Sequence, residues 1–185
     1  HGQAEQVASN VQGLWSWAWS RDGRWLVAAA VNDATQFDLV RYDVDSAAFS
    51  ILVPLVKSFS VSRSGKLCAV SQEGTLQFYT LEGVPEGEPI DSVTAPMLSP
   101  DGRYLACRHN DNDLWIRDLE SGQETEVGLG DPRNWSADSR ILLFYGRRSD
   151  EQGQIRAMYR VAEAATGVSI EVPQDGLWVD AVLYP

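Results

Sequence analysis

Histidine and cysteine, which supply many catalytic bases, nucleophiles and metal ligands, are scarce in this sequence. The 185 residues include only two histidines, His1 and His109, and two cysteines, Cys68 and Cys107. A Ser-His-Asp arrangement would have to use His109, and the Gly-x-Ser-x-Gly sequence that presents a hydrolase nucleophile is missing. The sequence therefore favours a protein without catalytic residues of its own, and we predict no cofactor.

Long apolar runs and an excess of basic residues are missing as well. No segment approaches the roughly 18 consecutive apolar residues that a membrane helix needs, so we predict no membrane insertion. Acidic residues outnumber basic ones by 26 to 15, and the formal net charge of −11 argues against nucleic acid as a partner. With 44% hydrophobic residues and seven tryptophans, the composition is typical of a soluble, packed chain.

One short sequence recurs along the chain and organises it. Ser-Pro-Asp-Gly at residues 99–102 is a turn sequence: proline fixes φ at the second position, aspartate bonds its own downstream backbone, and glycine accepts a positive φ. Weaker copies begin at Ser20, Ser62 and Ser136, so the four serines stand 42, 37 and 37 residues apart. A basic residue and an apolar run follow each copy. A period of about 40 residues with several short strands is typical of propeller blades.

We predict an all-β fold, a β-propeller of four-stranded antiparallel blades, because helical periodicity is nearly absent. The blade units run over about 14–53, 57–93, 95–127 and 131–172, with an extra strand at 177–184 and a short outer strand at 3–7. In the segment 25–31, apolar residues do not alternate with polar ones, which indicates a strand covered on both faces. Glycines and prolines at 83–89 predict a loop, and so do the charged residues at 146–154.

This set of strands does not close a ring neatly, because the two ends supply only the outside and the inside of a fifth blade. Residues 1–185 are therefore a single propeller domain or a propeller fragment. Two interpretations stay open: the chain is part of a propeller of about six to eight blades, or two copies pair their open ends. Exposed inter-blade faces would be unfavourable in water at ~25 cal/mol per Å² of apolar surface.

The third unit resembles a known kind of repeat. Its Ser-Pro-Asp-Gly-Arg-Tyr-Leu-Ala at 99–106 and its Asp-Leu-Trp-Ile-Arg-Asp-Leu-Glu-Ser-Gly at 113–122 resemble the WD-repeat-like propeller repeats of TolB and of the N-terminal propellers of dipeptidyl-peptidase-IV and prolyl-oligopeptidase relatives. The resemblance implies a propeller and hints at a scaffold that binds a protein or peptide through one rim. The alternatives are the substrate-gating module of a serine peptidase or a metal-assisted lyase.

Candidate ligand-binding residues lie on the rim that carries the second-to-third and fourth-to-first strand connections. We interpret the polar run at 109–113 as a solvated turn, because it lacks the glycine and the distant glutamate of an EF-hand loop. Arg147 and Arg148 have the chemistry to grip a carboxylate or a phosphate. The rim candidates are His109, Asp111, Asp113, Asp131, Arg147, Arg148 and Trp178, with no catalytic residue and no metal ligand among them.

Cys68 and Cys107 fall in different units, and we predict two buried thiols rather than a disulfide. They stand three and five residues after their turn glycines, which predicts the same face of equivalent strands. Two such thiols do not indicate a compartment, so periplasmic, secreted and cytoplasmic locations all stay open.

Overall fold

The computed structural model describes residues 14–20, 22–32, 36–109, 113–149 and 155–172, and the predicted strands at 3–7 and 177–184 lie outside these ranges. The described residues form strands and no helix, so the all-β prediction is confirmed. These ranges therefore contain no helix that could span a membrane. The strands are β1 (Leu14–Trp19), β2 (Trp25–Val31), β3 (Phe37–Asp43), β4 (Ala48–Val53), β5 (Val56–Val61), β6 (Leu67–Ser71), β7 (Leu76–Tyr79), β8 (Pro85–Ile90), β9 (Thr94–Leu98), β10 (Tyr104–Arg108), β11 (Asp113–Asp118), β12 (Glu124–Trp135), β13 (Ile141–Ser149), β14 (Ile155–Glu163) and β15 (Ser169–Glu171).

The strands pair antiparallel with their neighbours in chain order. β1–β4 form one four-stranded sheet, β5–β8 form another, and β9–β15 form a seven-stranded sheet. The long strand β12 pairs with β11 through residues 124–129 and with β13 through residues 130–135. It is therefore the last strand of one four-stranded unit and the first strand of the next. We name the units 1 (β1–β4), 2 (β5–β8), 3 (β9 to residue 129) and 4 (residue 130 to β15).

The four repeated turns each join the first two strands of a unit, as the sequence predicts. In the third turn, Asp101 Oδ1 accepts hydrogen bonds from Ser99 Oγ at 2.6 Å and from Arg103 N at 2.9 Å. Gly102 follows with a φ of 75°. The fourth turn has serine in place of this glycine, and Ser139 still adopts a φ of 63°. The turn geometry is thus kept even where a non-glycine residue must adopt a strained, positive φ.

Apolar clusters lie between the faces of consecutive units. Adjacent residues of β6 point to opposite clusters, since Leu67 and Ala69 face unit 1 whereas Cys68 and Val70 face unit 3. This arrangement explains why such strands lack polar alternation. The clusters contain Val27, Leu39, Leu52, Val56, Leu67 and Ala69 between units 1 and 2; Cys68, Val70, Leu76, Val93, Leu98, Leu105 and Cys107 between units 2 and 3; and Ala106, Leu114, Ile116, Val127, Trp135, Leu142, Phe144, Ala162 and Ala164 between units 3 and 4.

The second turn is one residue shorter than the third, and this reverses the faces of β6. The Ser62 N–H bonds the carbonyl of Lys66, four residues on, whereas the Ser99 N–H bonds the carbonyl of Tyr104, five residues on. The prediction that Cys68 and Cys107 share a face is therefore wrong. Cys68 faces unit 3 and Cys107 faces unit 2, so both thiols belong to the same cluster.

Both cysteines are buried and free, as predicted. Burial raises the pKa of the Cys68 thiol far above its usual range. Burial, with a smaller contribution from the negative charge of Glu124, raises the pKa of Cys107 to about 12. Both side chains are thus protonated at neutral pH and serve as packing residues.

The loop predicted at 83–89 is wrong, because Pro85–Ile90 forms strand β8 at the edge of unit 2. Proline is tolerated in an edge strand, where the missing N–H would have faced solvent. The amide of Gln77 on β7 adds support, since its Nε2 donates to the carbonyl of Glu86 at 2.8 Å. The glycines and prolines of this segment therefore indicate an edge strand and not a loop between strands.

The loop predicted at 146–154 is also shorter than expected, because β13 continues to Ser149 and β14 begins at Ile155. The ladder between them is continuous and pairs Arg147 with Ala157 and Arg148 with Arg156. Backbone pairing with a neighbouring strand outweighs the polar composition of this segment. Arg147 and Arg148 therefore stand on a strand and not in a loop.

Candidate functional site

Asp131 lies where β12 passes from unit 3 to unit 4, and it is the centre of an ion-pair cluster. Its Oδ1 is 2.7 Å from Nη1 of Arg108, and its Oδ2 is 3.8 Å from Nη2 of Arg147. Arg108 ends β10 in unit 3, and Arg147 stands on β13 in unit 4. The cluster therefore ties two units together at the rim that the sequence predicts. We call these three residues the Asp131 cluster.

The two arginines of the cluster contact Asp131 in different ways. The contact with Arg108 is a close ion pair, whereas the contact with Arg147 is beyond hydrogen-bond distance. Asp131 is thus satisfied mainly by Arg108, and Arg147 is attracted to it without a direct bond. The Arg147 side chain is 44% exposed. Its guanidinium keeps donors that can bind a carboxylate or phosphate from outside.

Three further residues lie near Asp131 along the chain or across the sheet. Tyr145 pairs directly with Asp131 across the sheet, and the guanidinium of Arg133 lies over its ring, 5.7 Å from the centroid. Leu129, two residues before Asp131, is 45% exposed. Arginine and tyrosine therefore stand together at this rim, and both residue types are enriched at protein-binding surfaces.

His109 belongs to a different environment from the Asp131 cluster. Its backbone N–H donates to the carbonyl oxygen of Asp113 at 3.0 Å, which closes the connection between β10 and β11. Its ring meets Trp115 edge-on, with the centroids 5.7 Å apart. Trp115 pairs with Cys107, whose side chain faces unit 2, so His109 packs away from Asp131. Its Nε2 is buried without a hydrogen bond to any described residue.

The structure therefore unites only part of the predicted set. Asp131 and Arg147 come together, and Asp113 begins β11 opposite Leu129. Asp111 and Trp178 lie outside the described residues, as does the side chain of Arg148. No group of three His, Cys, Asp or Glu side chains within the described ranges is placed to hold a metal ion.

Arg108 is the cluster member that the sequence analysis missed. A basic residue at the end of the second strand carries no distinctive local signal. Its meeting with Asp131 depends on the register of β10, β11 and β12, which places the end of β10 beside the point where β12 changes units. Strand register is set by turn lengths and sheet packing, and it is not visible in the residue types alone.

Four-stranded antiparallel units in chain order, with cores between their faces, define a β-propeller. Solved structures confirm this fold. TolB from Acinetobacter baumannii matches with a TM-score of 0.62 and 14% identity over 89% of this chain and 44% of that chain. A chain of the mitotic checkpoint complex matches at 0.60 and 22% identity over 84% and 51%. Hydrazine synthase from Kuenenia stuttgartiensis matches at 0.60 and 15% identity over 93% and 53%.

These likenesses show the fold alone, since every identity is low. The chain spans about half the length of the solved structures it matches. No family model matches the sequence, and no curated protein matches it. The predicted resemblance to WD-repeat-like, TolB-type propellers is confirmed, whereas the resemblance to dipeptidyl-peptidase-IV and prolyl-oligopeptidase propellers stays a prediction.

Proposed function

We propose that this propeller is a non-catalytic scaffold that binds a protein or peptide partner through the rim carrying the Asp131 cluster. The observation that supports this most directly is the half-exposed guanidinium of Arg147, 3.8 Å from a carboxylate that Arg108 already binds at 2.7 Å. When Arg147 turns to a partner's carboxylate, Asp131 keeps its closer ion pair with Arg108. The exchange therefore avoids the cost of leaving a partly buried charge unpaired.

The chemistry of the rim favours an acidic segment with an apolar side chain next to its carboxylate. The guanidinium of Arg147 offers a planar set of donors that matches a carboxylate. Leu129, which is 45% exposed and two residues before Asp131, supplies apolar surface near the cluster. The whole chain carries a net charge of −11 and therefore repels acidic partners at long range. An acidic segment would be bound by the local positive charge of the site and not by the net charge of the protein.

A displayed library of random peptides tests this proposal. Peptides selected on the unmodified protein should be acidic, and Arg147→Ala with Arg148→Ala should weaken their binding about tenfold or more, since a charged hydrogen bond is lost. Arg140→Ala is the matched control, because Arg140 follows the fourth turn at the opposite end of the strands. If the selected peptides bind the double variant and Arg140→Ala with the same affinity, the proposed binding site at this rim is contradicted.

We also propose that the chain self-associates through the outer faces of units 1 and 4. Trp17 and Ile51 are each 64% exposed, and Phe49 is 40% exposed. They lie on the outer face of unit 1, because Trp17 pairs with Ala28 and Ile51 pairs with Val40, both members of a small cluster away from unit 2. No apolar cluster joins units 1 and 4 within the described residues.

The repeat itself indicates how a second copy would fit. The outer face of unit 1 contains Leu26, which follows its turn at the same position as Leu105 in unit 3, and Leu105 packs on the preceding unit. The outer face of unit 4 contains Tyr145 and Tyr159, with ring centroids 5.3 Å apart, and the 64%-exposed Ile170. Unit 4 of one copy can therefore pack on unit 1 of another as consecutive units pack within the chain.

Ile51→Ser tests this contact by light scattering across a range of protein concentrations. The substitution should shift the protein toward monomer, because it places a hydroxyl in the apolar contact. Val84→Ser is the control, since Val84 is 57% exposed and stands before β8 in unit 2. The proposed contact is contradicted if both substitutions shift the protein toward monomer equally, or if neither substitution changes its association.

A further inference from the structure

The four repeated turns surround a pocket of about 690 Å³ at the end of the strands opposite the Asp131 cluster. Its volume is within the range of roughly 300–1,000 Å³ that small-molecule sites occupy. Every unit contributes to the walls, because the turns converge where the first strands of the units end. The lining residues are Trp19, Ser20, Arg63, Ser64, Pro100, Asp101 and Ala137.

Hydrogen bonds between turns fix the walls of this pocket. The Ser64 N–H donates to the carbonyl oxygen of Pro100 at 3.0 Å, which joins the second and third turns. The Asp101 N–H donates to Ser139 Oγ at 3.0 Å, which joins the third and fourth turns. The walls are therefore ordered before any ligand arrives, and binding does not have to pay for ordering them.

Two opposite charges line the pocket without pairing with each other. The side chain of Arg63 is exposed and makes no ion pair or hydrogen bond with another described residue. Burial opposes the ionisation of Asp101, but hydrogen bonds from the Ser99 hydroxyl and the Arg103 N–H lower its pKa below the usual value, so it is charged at neutral pH. Among the described residues, the pocket thus presents one cation and one anion to a ligand.

Apolar surface stands beside these charges. The indole of Trp19 is 51% exposed, and Pro100 and Ala137 complete the wall. A ligand of one charge would displace water from the other charged group without replacing the hydrogen bonds to that water, which is unfavourable. A ligand with both charges and an apolar side chain satisfies all three features.

We propose that this pocket binds a zwitterion with an apolar side chain. Arg63 holds the carboxylate, Asp101 holds the ammonium group, and the side chain lies against Trp19. The same chemistry is found in a free aromatic amino acid and in a short peptide with both termini free. This site is separate from the rim proposed for partner binding, and its test does not depend on that proposal.

Calorimetric titration with L-phenylalanine tests the pocket directly. L-phenylalanine should bind, whereas N-acetyl-L-phenylalanine and L-phenylalaninamide, which each lack one charge, should bind about tenfold more weakly or worse. The dipeptide L-phenylalanylglycine separates the two sources, because a site built for the free amino acid rejects its longer span between charges. Tighter binding of the dipeptide instead assigns the pocket to peptides.

Arg63→Ala removes the carboxylate partner with little risk to the fold, because the fourth turn already has Ala137 at this position. It should weaken the preferred zwitterion about tenfold or more, whereas Lys57→Ala, which removes a positive charge from β5, should not. Asp101→Asn and Asp138→Asn remove the same turn carboxylate from the third and fourth turns, and only Asp101→Asn should weaken binding.

Three results would overturn the proposal. The first is no binding of either L-phenylalanine or the dipeptide. The second is equal affinity for L-phenylalanine and its N-acetyl derivative, which would mean that the pocket takes a simple anion. The third is unchanged affinity in Arg63→Ala, provided that this variant unfolds at the same urea concentration as the unmodified protein.

Discussion

The backbone N–H of Ser64 donates to the carbonyl oxygen of Pro100 at 3.0 Å, so the second repeated turn is bonded directly to the third. Lys66 strengthens the same junction, because its Nζ donates to the carbonyl oxygen of Gly102 at 2.9 Å. A Cβ on Gly102 would overlap the hydroxyl of Ser64. Gly102 is therefore needed twice, for its φ of 75° and for the close approach of its neighbour.

We expect Gly102→Ala to destabilise the protein by about 3 kcal/mol, which combines left-handed strain with overpacking. Gly23→Ala is the matched variant, because Gly23 has a φ of 71° but open space where the methyl group would stand. It should cost only about 1 kcal/mol. Urea unfolding of both variants measures the difference. Equal losses would mean that the contact between the second and third turns does not constrain the fold.

Trp135→Phe should destabilise the protein by about 2 kcal/mol, because it leaves the part-buried carbonyl oxygen of Met97 without its donor. The Trp135 indole N–H donates to the carbonyl oxygen of Met97 at 3.1 Å, which joins β12 in unit 4 to β9 in unit 3. The Trp135 side chain is buried, so water does not replace the lost donor. Thermal unfolding checks this against Trp19→Phe, whose half-exposed indole should change stability by no more than about 0.5 kcal/mol. A similar shift in both variants contradicts the assigned role of Trp135.

Stability should fall in acid. The Ser136 hydroxyl and the Arg140 N–H lower the pKa of Asp138, and Arg103 lowers the pKa of Asp118, both from 3.8. A folded-state pKa below the unfolded value adds stability that is present above the unfolded pKa and is lost as the pH falls through the folded pKa. Melting temperatures measured between neutral pH and pH 3 should therefore drop at the acid end. Asp118→Asn with Asp138→Asn should flatten that drop, and an unchanged slope would contradict it.

The repeated turns could be predicted from the sequence because their signal is local. Pro100, Asp101 and Gly102 each favour one turn position by their own chemistry, so four copies at nearly constant spacing are enough to indicate a propeller. Even the altered copies keep the geometry. Ser139 supplies the positive φ that glycine provides elsewhere.

Register and pairing could not be predicted in the same way. A turn shorter by one residue moves Cys68 to the other face of its strand, and the residue types give no sign of that change. The strand β8 contains Pro85 and Pro89, which indicate a loop unless the segment is known to be an edge. The pairing of Arg108 with Asp131 depends on three consecutive strand registers.

Sedimentation equilibrium tests most directly the central proposal, that two copies of the chain associate through the outer faces of units 1 and 4. At tens of micromolar, the 185-residue chain should associate reversibly, because Trp17 and Ile51 on unit 1 and Ile170 on unit 4 are each 64% exposed. The association should weaken in Ile51→Ser. A monomer at these concentrations that also melts in one sharp transition would contradict the account, since it would mean that the chain covers both outer faces by itself.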